Sequence, residues 1–140
     1  MIAVSIEIDR SANVVWTYFT TPNKWCKWNG GDLKAVTPRW QDGGKLVWSS
    51  GGASPITSFV PGKSVCISGS WMDDTYLFEP KGSKRTLVKI VQSDPKGGAR
   101  FNDGGAANKA QLVKALHQLK ECIQSETTTA TSKKWWTFWK

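Results

Sequence analysis

Ala106-Ala107-Asn108-Lys109-Ala110-Gln111-Leu112-Val113-Lys114-Ala115-Leu116-His117-Gln118-Leu119-Lys120-Glu121-Cys122-Ile123 is the stretch on which the fold turns. Leu112, Leu116, Leu119 and Ile123 stand at offsets 0, 4, 7 and 11, one face of a 3.6-residue repeat. Ala115 and Cys122 widen that stripe, and Lys109, Lys114, Lys120 and Glu121 occupy the other side. Gly104-Gly105 stops whatever precedes it. The spacing predicts a helix from Gly105 to Glu126, roughly 28 Å long at about 1.5 Å per residue. Such a stripe needs a broad apolar surface to lie on.

The preceding residues supply one. Val4, Ile6 and Ile8 alternate with Ser5, Glu7 and Asp9, the pattern of a half-buried strand. Ser11 is placed to cap a short helix ending at Tyr18 or Phe19, and Thr21-Pro22 to start a second, with Thr21 as cap. Trp25 and Trp28 are three apart and predicted to point the same way, until Asn29-Gly30-Gly31 ends the helix. Six strands follow: Leu33 to Val36, Lys45 to Ser49, Ser54 to Val60, Val65 to Met72, Thr75 to Glu79 and Arg85 to Gln92. Asp42-Gly43-Gly44, Ser50-Gly51-Gly52, Pro61-Gly62, Asp73-Asp74 and Pro80-Lys81-Gly82-Ser83 read as turns. Connections this short favour antiparallel neighbours in a meander. The expected fold is α+β: a curved antiparallel sheet around a long C-terminal helix, with two short helices closing one end of the groove.

The 140 residues, 39% hydrophobic and 21% charged, are enough for one domain with a sizeable core. No apolar run approaches the ~20 residues of a membrane span. The opening residues alternate and carry early acids, so they read as a strand and not as a signal peptide. Cys26, Cys66 and Cys122 form no Cys-x-x-Cys and read as reduced, mostly buried thiols in a cytoplasmic setting. The net charge is +8, yet no nucleic-acid motif accompanies it, so a solvated basic surface is expected and no nucleic-acid partner. One histidine and scattered cysteines leave no zinc set, and no glycine-rich loop has phosphate-binding spacing, so neither metal nor cofactor is expected.

Several motifs together resemble a known family. They are the N-terminal Ile-x-Ile strand, Val14-Val15-Trp16, Thr21-Pro22 leading to Trp28, Gly43-Gly44-Lys45-Leu46, Val60-Pro61-Gly62, a strand ending in Trp71, a late strand from Thr86-Leu87, and the Leu-rich helix. Over residues 1–125 the chain resembles the START-like, or SRPBCC, superfamily. Within it the resemblance is to the branch of polyketide cyclases and activator of heat shock protein 90 ATPase homologues. It implies the helix-grip fold, with an apolar cavity between sheet and helix. The chaperone-stimulating member has an additional N-terminal domain to which nothing in this sequence corresponds.

Trp28, Leu46, Trp48, Trp71, Tyr76, Phe78, Thr86, Leu112, Leu116 and Leu119 are the candidate ligand-binding residues, with Tyr76 and Thr86 as polar atoms to orient a ligand. The competing reading makes the same side chains plain core. Trp25 and Trp28 are placed to gate the mouth or to pin the second short helix. No catalytic constellation is visible: Asp73-Asp74 reads as a solvated turn pair, and Glu79 as outward. The expected function is binding of a hydrophobic or aromatic small molecule in a cavity between the sheet and the C-terminal helix. Alternatives are a chaperone-regulator-like interaction module and a polyketide cyclase-like enzyme that works by shaping its substrate.

Residues 1–126 read as the domain and residues 127–140 as a tail, polar in Thr127 to Ser132 and then Lys/Trp-rich. In that second part Lys133, Lys134, Trp135, Trp136, Phe138 and Trp139 suit contact with a membrane surface or a protein partner. The competing readings are a disordered end and an added tag.

Overall fold

Seven strands in the order β1-β7-β6-β5-β4-β3-β2 form one antiparallel sheet. The computed structural model describes residues 1–29, 33–69, 72–94 and 105–139, with the side chains of Cys26 and of 127–139 outside that description. The strands are β1 (Ile2–Ile8), β2 (Leu33–Thr37), β3 (Lys45–Trp48), β4 (Ala53–Val60), β5 (Ser64–Ser68), β6 (Asp73–Pro80) and β7 (Thr86–Ser93). From β2 to β7 the chain is a meander of sequential neighbours, as the short turns require. β1 closes the far edge by pairing with β7, Ile2 opposite Gln92 and Ile8 opposite Thr86.

Alternation selects the inner face. Ile2, Val4 and Ile8 of β1, Tyr76 and Phe78 of β6, and Thr86, Val88 and Ile90 of β7 are buried. In β4 the parity shifts at a bulge between Ile56 and Ser58, which brings Phe59 opposite the buried Val65. Two turns depend on glycine. Gly62 sits at φ +74 after Pro61, a region that L side chains rarely adopt. A Cβ on Gly44 would stand 2.5 Å from the Arg39 carbonyl, so only glycine fits there.

Helix α1 (Ala12–Phe19) starts as expected, with the Ser11 hydroxyl accepting from the Val14 N–H. Thr21 does not cap the next turn (Pro22–Lys24, 3-10); its hydroxyl donates back to the Thr17 carbonyl at 2.7 Å. Helix α2 (Trp25–Trp28) follows directly. Helix α3 is continuous from Ala106–Trp139, running past Glu126 through the Thr-rich stretch. Among the described residues, no helix is long and apolar enough to cross a membrane.

α3 lies along β1 and against α2. Its buried side chains are Leu116, Leu119 and Ile123, the stripe read from the sequence, each contributing about 1.5–3 kcal/mol by leaving water. Leu112, one turn earlier, is half-buried at the margin of the core. Polar ties fix the helix lengthwise. The Asp9 N–H donates to Gln124 Oε1 at 3.0 Å, and the Arg10 guanidinium donates to the Gln124 carbonyl at 2.9 Å. On the other flank Glu126 accepts from Lys24 Nζ at 2.7 Å, from Lys27 Nζ at 3.3 Å and from the Tyr18 hydroxyl.

The space between α1, α2 and the sheet is filled with rings. Phe19, fully buried, has the rings of Trp25, Trp28, Trp40, Tyr76 and Phe78 within 6 Å, Tyr76 nearest at 4.9 Å between centroids. Trp16 extends the cluster to Phe59 and Phe78. This cluster accounts for much of the unusual tryptophan content: large flat side chains span the gap left by a short roof over a curled sheet.

Candidate functional site

Beyond the aromatic cluster, toward the β3–β4 turn, the packing stops. A half-open cavity of about 470 Å³ lies there, lined by Trp25 and Asn29 from the α2 end, Trp48, Gly52, Ala53 and Ser54 from the β3–β4 hairpin, Ile67 of β5 and Gly69 just after it, and Asp74 and Tyr76 from β6. Its volume is that of a small-molecule site. Among the described residues, none from α3 lines it. The space is therefore roofed by the second short helix and not by the long one.

The walls are aromatic. The Trp25 indole N–H donates to the Phe19 carbonyl at 2.6 Å, which holds the ring across the top of the cavity. The Trp48 indole N–H donates to Ser54 Oγ at 2.9 Å across the β3–β4 hairpin, and its ring stands 6.0 Å from Trp25 at 66°. Tyr76, 4% exposed, completes the wall from the sheet. Its hydroxyl has no hydrogen-bond partner among the described residues. Burial, and then the charge of Asp74, push that phenol well above its ordinary range, so it stays protonated.

One end is polar. Asp74 shares the inward parity of Tyr76 and Phe78 on β6 and lies opposite Gln92 on β7. Asp74 Oδ1 accepts from the Gln92 amide at 3.0 Å, and Gln92 Oε1 in turn accepts from Asn108 of α3 at 2.9 Å. Burial pushes the Asp74 carboxyl above its ordinary range; the Gln92 bond pulls the other way, and the neighbouring Asp73 adds to the rise. Asp73 is itself tied to the Ser68 hydroxyl at 2.7 Å. The pair read as a solvated turn is thus the start of a strand, with Asp74 half-buried and facing the cavity.

The sequence-derived candidates do not all come together. Trp48 and Tyr76 meet at the cavity, joined by Trp25. Trp28, Leu46, Phe78, Leu116 and Leu119 are buried in the continuous core, with Leu112 at its edge. Thr86 is fully buried at the opposite end of the sheet, where its hydroxyl donates to the Arg10 carbonyl at 2.9 Å. Trp71 lies outside the described residues, as do the side chains of Lys133, Lys134, Trp135, Trp136, Phe138 and Trp139. The Trp28 indole N–H is buried without a partner among the described residues, although its ring packs on Trp25 at 4.8 Å. Cys66 and Cys122 are free and only half-buried, and the Cys122 thiol points at the Lys27 carbonyl, 3.8 Å away.

Asp74, Asn29, Ser54 and Gly69 are lining residues that the sequence reading did not single out. Asp74 was within reach: counting back two residues from Tyr76 places it on the inner face.

No protein-family profile and no curated protein sequence matches the chain. Solved structures do match in fold. A conserved protein of unknown function, EF2215 from Enterococcus faecalis, superposes with TM-score 0.69 at 17% identity over 86% of this chain and 69% of that one. DynU16, from the dynemicin biosynthetic locus, gives TM-score 0.71 at 16% identity over 89% of this chain; the match spans 47% of DynU16. The Aha1 dimer from Colwellia psychrerythraea gives 0.61 at 18% identity over 88% of this chain and 96% of that one. At such identities the likeness is one of architecture, a curved antiparallel sheet with a long C-terminal helix.

Proposed function

We propose that this protein holds a hydrophobic or aromatic small molecule in the cavity beneath α2. The observation that carries the reading is the wall formed by Trp25, Trp48, Ile67 and Tyr76 around about 470 Å³. An apolar enclosure with a few placed polar groups is what a small-molecule site requires. Asn29, Ser54 and Asp74 are those groups. The cavity of START-like proteins lies between the sheet and the C-terminal helix; here the space opens beneath α2 instead, so the reading rests on the lining itself.

Calorimetric titration with 2-naphthol tests it. Saturable binding in the micromolar range is expected, and Ile67→Trp, which extends a lining side chain into the space, abolishes it. Absence of saturable heat up to millimolar probe, or binding unchanged by Ile67→Trp, overturns the proposal.

A second reading is a chaperone-regulator-like interaction module, supported by the likeness in fold to the Aha1 dimer. Adding the protein to a purified heat shock protein 90 ATPase decides it: an unchanged rate removes the idea.

A further inference from the structure

Four of the acids among the described residues sit beside cations. Glu7 and Asp9 lie within 3.5 Å of Arg85, Glu79 within 3.2 Å of Lys81, and Glu126 within 3.3 Å of both Lys24 and Lys27. With 19 Lys and Arg against 11 Asp and Glu, such pairing is what the composition favours. Asp74, at the cavity, is not one of those paired acids. Among the described residues no Lys or Arg lines the space or pairs with this carboxyl, whose hydrogen-bond donor is the neutral Gln92 amide. Around it stand the rings of Trp25, Trp48 and Tyr76.

A half-buried carboxylate without a cation is costly, and the faces of aromatic rings attract cations. Both features favour the same occupant. A positive charge inside the cavity relieves the carboxylate, while the rings replace the water that a bulky, weakly hydrated cation loses. A neutral ligand of the same shape gains the apolar contacts alone. The Tyr76 hydroxyl, without a hydrogen-bond partner among the described residues, adds a dipole for the polar end of the ligand.

Resting on the small-molecule reading above, we infer that the ligand is an organic cation: a substituted ammonium group seated among Trp25, Trp48 and Tyr76, with its charge toward Asp74 and an apolar body filling the remaining space. Gln92 and Asn108 act as positioning residues, because their relay fixes the carboxylate from α3 across β7.

The test uses benzyltrimethylammonium and its uncharged carbon isostere neopentylbenzene, compared on the full chain by calorimetry, with 2-naphthol as the probe of the parent reading. The cation is expected to bind at least about tenfold more tightly than the isostere, the margin a desolvated cation–π and carboxylate site supplies. Asp74→Asn, which keeps the acceptor for Gln92, brings the two to near parity. Trp48→Leu weakens the cation more than the isostere. Equal binding of the pair, or a preference that survives Asp74→Asn, overturns the inference. If 2-naphthol still binds in that case, the small-molecule reading stands; if no probe binds, both fall.

Discussion

Glu126→Gln is the substitution that most directly probes how the cavity roof is held. Glu126 is the acceptor at which α3 meets Tyr18 of α1, Lys24 of the following turn and Lys27 of α2. The two lysine pairs are partly solvated, with Lys24 33% and Lys27 48% exposed, so each contributes about 0.2–1 kcal/mol. A hydroxyl donating to a charged acceptor is worth about 1.5–3 kcal/mol, and Gln keeps roughly half of that as a neutral bond. The expected loss is about 2 kcal/mol at pH 7, seen as a fall in Tm of about 6 °C. The sign with pH follows from the carboxyl. Partial burial raises it, but the bonds from Lys24, Tyr18 and Lys27 outweigh burial and hold it down, from 4.5 to about 2. A depressed carboxylate stabilises the fold above its unfolded value, and the benefit fades as pH falls from 4.5 toward 2. Urea unfolding followed by tryptophan emission therefore shows a gap between wild type and variant at pH 7 that shrinks by roughly half or more at pH 3. Superposed curves at pH 7, or a gap of the same size at both pH values, would refute the clamp.

Other substitutions separate core from cavity. Phe19→Ala removes the ring at the centre of the aromatic cluster and is expected to cost about 3–5 kcal/mol in urea titration, because five neighbouring rings cannot all collapse into the space. Thr86→Val leaves the Arg10 carbonyl without its hydroxyl donor and costs about 1–2 kcal/mol, with 2-naphthol affinity unchanged since Thr86 lies away from the lining. Gly44→Ala forces a Cβ onto the Arg39 carbonyl and costs about 1–3 kcal/mol, read as a lower urea midpoint at unchanged slope.

The architecture was legible because its signals are periodic. The stripe Leu116, Leu119, Ile123 specified which face of α3 goes inward, and strict alternation in β1, β6 and β7 specified the sheet face that receives it. The site was less legible, for three physical reasons. Periodicity assigns Trp28, Leu46 and Phe78 to the interior but carries no information on where the interior ends, and these three fill it. Thr86 obeys the inward parity of β7, yet its hydroxyl is consumed by a chain turn rather than offered to a ligand. Asp73-Asp74 has the composition of a turn, so its entry into β6 depends on pairing with Ser68 and Ile67 of β5 and with Ser93 and Gln92 of β7, partners distant or ambiguous in sequence.

Why the cavity opens under α2 and not under α3 follows from how the two sides are covered. Leu116, Leu119 and Ile123 press the long helix onto the β1 side, where the core also holds Ile2, Val4, Ile8, Val88 and Ile90, so aliphatic meets aliphatic. A helix 10–12 Å across cannot also shelter the far strands of a seven-stranded sheet whose neighbours stand about 4.8 Å apart. The remaining cover is α1 and the single turn of α2, which reach over the sheet with rings rather than with backbone. Trp25 is the last of those rings: beyond it lie Gly52, Ala53, Ser54 and Gly69, side chains too small to complete the filling. Among the described residues, the space lies where these rings give way to small residues. Enlarging one of those small residues distinguishes space for a ligand from loose packing. Ser54→Leu, on the inward parity of the buried Leu46 opposite it, is expected to weaken 2-naphthol binding by about tenfold or more without raising the urea midpoint. A variant that binds as well as wild type and unfolds at a markedly higher urea concentration would identify the space as a packing defect instead.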